Sequence, residues 1–211
     1  ALGFAMHDLG RKNKIFSFEK IFGGSREKFG GLEENTKIIQ DNLAFFGVSD
    51  QICLTLGDVE LKSEEVIDQI HKRGQPISLL LLDADGSIDR DISCFYNYLV
   101  PGAPIIIDDC NDYVKLKYLN DQRIKIDLKH KLTHELINLF VSNGTIEEVE
   151  TIGNTFFGRK PYGAKDAIDF SKINFEKAYR KLVFLEADLP NSHEKQTRFN
   201  LGKSKAKIKK E

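Results

Sequence analysis

From Lys14 onward the chain repeats one theme. A short apolar run ends in an acid or a glycine, and a longer stretch follows with apolar residues three and four apart. Lys14–Glu19 (KIFSFE) predicts a strand ending in an acid, and Phe22–Leu32 is a glycine-rich loop. Leu32–Phe46 carries Leu32, Thr36, Ile39, Leu43 and Phe46 on one stripe, a helix closed by Gly47. Gln51–Leu56 predicts the next strand, followed by Gly57 and Asp58. Another helix follows, with Ser63 as its expected cap and Val66, Ile67 and Ile70 inward, and Gly74 closes it. Ile77–Leu82 is a continuous apolar run between Pro76 and Asp83. It is too short for a typical helix and predicts a strand buried on both faces. Ile92, Phe95, Tyr96 and Leu99 form a helical stripe, Pro101 and Gly102 break it, and Pro104–Ile107 predicts a second buried strand.

Tyr113–Asp127 is polar and lysine-rich and is expected to be a covering helix, with another over Leu132–Val141. Thr145–Thr151 and Asn154–Arg159 predict a hairpin turning at Gly153 and Asn154. Past Pro161 one helix is expected, through Phe175, Tyr179 and Leu182. Alternating strands and helices mean α/β: a Rossmann-like, mostly parallel sheet with helices on both faces and a C-terminal antiparallel hairpin. The expected organisation is a domain over 1–160, a helical extension over 161–195 and a basic, disordered tail over 196–211. Ala1–Asn13 reads as the back half of an amphipathic helix, so the domain is expected to be truncated at its N-terminus.

Composition adds exclusions. The 211 residues are 41% hydrophobic and 30% charged, ordinary for a globular protein with one full core. No apolar run is long enough to span a membrane as a helix. The formal net charge of −1 carries no signature of nucleic-acid binding, and only the lysine-rich tail is basic. Cys53, Cys94 and Cys110 lack metal-ligand spacing and read as reduced thiols of a cytoplasmic protein.

The candidate chemistry lies in acids at strand ends. Glu19, Asp58 and Asp83 each close a predicted strand, and Asp108 and Asp109 close the next. Ligands of open parallel sheets bind at the carboxyl ends of the strands. An acid after the second strand suits ribose hydroxyls, because a carboxylate accepts two donors together. An acid after the third can meet the exocyclic amine of adenine.

The order KIFSFE, loop, helix, DQICLTLGDV, helix, ISLLLLDADGS, helix, PGAPIIIDDCN, helix, hairpin NTFFGRK resembles the class I S-adenosylmethionine-dependent methyltransferases. More narrowly it is similar to the catechol, caffeoyl-CoA and macrocin-type small-molecule O-methyltransferases, over Ala1 to Lys160. The DAD motif followed by PG and DD is the most specific part. The resemblance implies S-adenosylmethionine as cofactor at Glu19, Asp58 and Asp83, with a small-molecule hydroxyl as methyl acceptor. It also implies a divalent cation, Mg²⁺ by its oxygen ligands, at Asp83, Asp108 and Asp109. Asp109 stands where many members have Asn.

Two features depart from the family. Its glycine-rich cofactor loop has no counterpart after Ala1, and Gly86 occupies the position where relatives keep a Lys or His base. The catalytic residue is therefore unassigned. His130 and His134, four apart, can face one site but are expected as partly exposed helix residues. Two alternatives stay open: a non-catalytic binding module on this fold, or a haloacid-dehalogenase-like phosphatase with Asp83 as nucleophile and Asp85 as acid/base. The phosphatase lacks its Ser/Thr strand and Lys between the motifs.

Overall fold

A computed structural model describes residues 13–19, 31–74, 76–84, 86–118, 124–164, 167–180, 182, 199–201 and 204–210. The expected N-terminal helix through residue 12, the glycine-rich loop up to Gly30, and Asp85 lie outside them. The chain divides into two compact units, Ala1–Arg73 and Gly74–Glu211.

In the first unit, strand β1 (Ile15–Glu19) pairs parallel with β2 (Ile52–Leu56), Ile15 opposite Ile52 and Glu19 opposite Leu56. All ten strand residues are half-buried. Helix α1 (Gly31–Phe45) links the strands, as parallel pairing requires, and α2 (Val59–Arg73) follows β2. Asp58, rather than the expected Ser63, starts α2. Its Oδ1 accepts the Glu60 amide at 3.0 Å, satisfying one of the donors a helix start leaves unpaired. Ser63 is buried inside the helix. Val48, Val66 and Ile70 are the unit's buried apolar residues among those described.

In the second unit, β3 (Leu80–Leu82) lies parallel to β4 (Pro104–Ile107), with α3 (Ile88–Phe95) between them in sequence. The expected hairpin is present: β7 (Glu147–Ile152) and β8 (Thr155–Arg159) pair antiparallel, and β8 lies antiparallel to β4. The sheet order is β3-β4-β8-β7. Helix α4 (Lys129–Ser142) precedes the hairpin, its first turn held by Asp127 Oδ1, which accepts the Lys129 amide at 3.1 Å. Ile88, Ile92 and Tyr96 pack with Ile105, Ile107, Leu136, Phe140 and Phe156 in one cluster. Burying each large side chain contributes about 1.5–3 kcal/mol. The Tyr96 hydroxyl donates to the Thr145 carbonyl, so its buried oxygen is satisfied. Residues 176–180 are helical, and Phe175 meets Phe140 edge to face, with ring centroids 5.7 Å apart.

Three further expectations change. Leu79 and Leu81 are exposed, so β3 is not covered on both sides within its unit. Tyr113–Asp127 is not helical: β5 (Tyr113–Tyr118) and β6 (Ile124–Asp127) pair antiparallel. The lysines hid a period of two, with buried Val114 and Leu116 on either side of half-buried Lys115. The tail, expected to be disordered, forms β9 (Phe199–Leu201) and β10 (Ser204–Lys210), and β10 runs parallel to β5. Its Lys-Ala-Lys-Ile-Lys run alternates with the same period. Among the described residues no helix is long and apolar enough to cross a membrane.

Candidate functional site

Parallel pairing in register sets the first unit's acids at one sheet edge. Glu19 ends β1, its carbonyl accepts the Gly57 amide at 3.1 Å, and Asp58 is the next residue. Both acids stand at the carboxyl end of the β1–β2 pair, as a ribose-binding role requires. Asp58 also serves α2, which occupies one of its oxygens.

In the second unit the pairing of Leu82 with Ile107 brings the ends of β3 and β4 level. Asp83 is exposed. Beyond β4 the chain turns sharply. The Asp108 amide donates to the Leu82 carbonyl at 2.9 Å, and Asp109 adopts φ +56°. That left-handed conformation costs most residues about 1 kcal/mol, and Asn and Asp tolerate it best. An Asn or Asp at this position thus suits the backbone, apart from any ligand.

The turn aims the Asp109 carboxylate into a set of partners. Its Oδ2 lies 3.0 Å from Lys129 Nζ, and its Oδ1 accepts from Asn154 Nδ2 at 2.6 Å. Asp108 Oδ1 accepts from Thr155 Oγ1 at 3.0 Å. His130 Nδ1 approaches Asp109 Oδ1 at 3.3 Å but is not aligned as a hydrogen bond, and it has no other partner. His130 Nε2 lies 2.8 Å from the Tyr113 hydroxyl, and the two rings stack at 4.3 Å. Burial holds the His130 pKa below the ordinary histidine value, although Asp109 pulls it upward. Burial raises the Asp109 pKa, but hydrogen bonds from Lys129 and Asn154 and the charges of His130 and Lys129 outweigh it, so the net shift is downward.

His130 is 2% exposed, against the expectation of a partly exposed residue. His134 goes elsewhere, its Nδ1 3.2 Å from the Cys110 carbonyl. His134, Cys110, Asp112 and Phe156 help line a cavity of about 180 Å³, below the few hundred Å³ that drug-sized ligands and cofactors fill. Lys129, Asn154 and Thr155 carried no signal as site residues. The only hint was a Lys-His-Lys run opening a helix some twenty residues after an acid pair.

Among the described residues no three His, Cys, Asp or Glu side chains converge as metal ligands. An ammonium group 3.0 Å from Asp109 already balances its charge. The acid pair in this arrangement therefore does not fit a divalent ion.

Strands β3 and β4 in parallel, closed by the antiparallel β8 and β7 and joined by helices, define a Rossmann-like α/β fold, the fold of the S-adenosylmethionine-dependent O-methyltransferases. The solved calicheamicin methyltransferase CalS11 matches with a TM-score of 0.50 at 13% identity, over 75% of this chain and 66% of its own. An O-methyltransferase from Bacillus cereus, solved with SAH, matches with a TM-score of 0.46 at 14% identity, over 70% of this chain and 62% of its own. The chain thus spans less than two thirds of the length of either neighbour. At such identities the likeness is one of fold. No protein-family model matches the sequence, and no curated protein matches it.

Proposed function

We propose that this chain belongs to an enzyme that transfers a methyl group from S-adenosylmethionine to a hydroxyl of a small molecule. The observation that carries the reading is the placement of Glu19 and Asp58 together at the carboxyl end of a parallel strand pair. Acids there accept hydrogen bonds from ribose hydroxyls in nucleotide-binding sheets. The likeness to CalS11 supports the same fold. In this reading Glu19 and Asp58, both in the first unit, hold the nucleoside. No step is routed through a metal, because Lys129 stands against Asp109.

A second reading, a binding module that holds the nucleoside without transferring methyl, is favoured by one observation. Gly86 lies where the resembling enzymes keep a base, and the backbone of Lys129 crowds the space a side chain there would enter.

Calorimetric titration with S-adenosylhomocysteine tests the main reading. Binding is expected, and Glu19→Ala is expected to weaken it about tenfold or more, the loss of hydrogen bonds to a charged acceptor. Absence of binding to the wild-type chain would overturn both readings. Binding without turnover across a panel of phenolic and sugar hydroxyls selects the second.

A further inference from the structure

The loop after β3 and the start of α4 meet at one point. A Cβ built on Gly86 lies 3.3 Å from the Lys129 carbonyl oxygen, 3.4 Å from Lys129 Cα and 3.3 Å from Leu132 Cδ2. Gly86 also has φ +86°, which L side chains rarely adopt. The positive φ favours glycine here, a Cβ would be in tight contact, and the first turn of α4 has a close seat against the loop. Asp127 fixes the same turn from the other side by accepting the Lys129 amide. Lys129 is thereby held with its ammonium 3.0 Å from Asp109 Oδ2, both side chains about three-quarters buried. Asn154 holds the other oxygen at 2.6 Å, and Thr155 holds Asp108.

Two adjacent carboxylates need a counter-charge, or they repel and raise one another's pKa. That charge is already covalently present, and a divalent ion arriving at Asp109 would have to displace it or meet its repulsion. We propose that Lys129 is the resident cation of the acid pair. It takes the electrostatic place of a divalent metal, so the site excludes Mg²⁺ and Mn²⁺ and gains affinity for them only when Lys129 is removed. This holds whether or not the chain transfers methyl groups.

Calorimetry with MnCl₂ and with MgCl₂ alone, on the full chain without nucleoside, tests it. The wild-type chain and Asp109→Asn are expected to behave alike, with no saturable binding below millimolar concentrations. Lys129→Met is expected to bind Mn²⁺ about tenfold or more tightly than wild type, since a like charge within a few ångströms is gone. Lys129→Met/Asp109→Asn is expected to lose that gain. Lys129→Arg, which keeps the charge and serves if Lys129→Met does not fold, is expected to stay without metal. Wild-type Mn²⁺ binding that Asp109→Asn abolishes would overturn the proposal. So would a folded Lys129→Met with no gain, or Lys129→Arg binding Mn²⁺ as tightly as Lys129→Met. Nucleoside binding is read separately, so failure here leaves the methyltransferase reading standing.

Discussion

Strands β3 and β4 are neighbours, parallel and level, and each ends in an acid. Asp83, after β3, is exposed and is followed at Gly86 by a backbone turn. Asp108 and Asp109, after β4, are gripped by Thr155, Asn154, Lys129 and the edge of His130. The difference comes from what the next elements deliver. In the turn after β3, Gly86 presents only backbone to α4, so helix and loop approach closely there. The turn after β4 offers α4 carboxylates, and the helix answers with three consecutive basic residues. Lys129 meets Asp109, His130 packs beside it, and Lys131 reaches Asp112 and Glu135. A strand-end acid is a general device; what it can bind depends on the charges folded against it.

The largest break in this contrast is expected at Lys131. It is 2% exposed, and its ammonium stands against Asp112 and, at 2.9 Å, Glu135. Burial alone would lower its pKa, but the hydrogen bonds and charges of those two acids raise it on balance, so it is charged and paired. Lys131→Met leaves two carboxylates facing each other in a poorly solvated place. The expected loss is about 3–5 kcal/mol of stability, read by urea denaturation.

Gly86→Ala asks whether the β3 turn and α4 truly interlock. A methyl group there meets Lys129 and Leu132 and must be carried at a positive φ. A destabilisation of about 2 kcal/mol is expected in the same assay. A neutral result would mean that the turn gives way, and with it the seat of Lys129.

The smallest effect is expected at Asp83. Asp83→Asn removes an exposed charge, and stability is expected to stay within about 0.5 kcal/mol of wild type. A larger loss would mean that the β3 end is not the simple exposed acid described above.

The sequence by itself determined the local elements whose signal is local. Short apolar runs bounded by acids, helical stripes bounded by glycines, and the Gly153–Asn154 turn all appear as strands, helices and the hairpin. The acids at strand ends were legible for the same reason, since a polar residue closing an apolar run can be read without knowing its neighbours. Tyr113–Tyr118 was misread because lysine content outweighed a two-residue alternation of Val114 and Leu116. Only the tertiary structure decided which acids are already engaged. Lys129 and Asp109 are twenty residues apart, and Asn154 is forty-five from Asp109. Nothing in either stretch announces the other. Their meeting depends on a glycine at 86 that lets a helix start come close, and on a left-handed turn at Asp109 that aims a carboxylate toward it. Charge balance is a property of groups brought together in space, and a chain shows only which charges it carries.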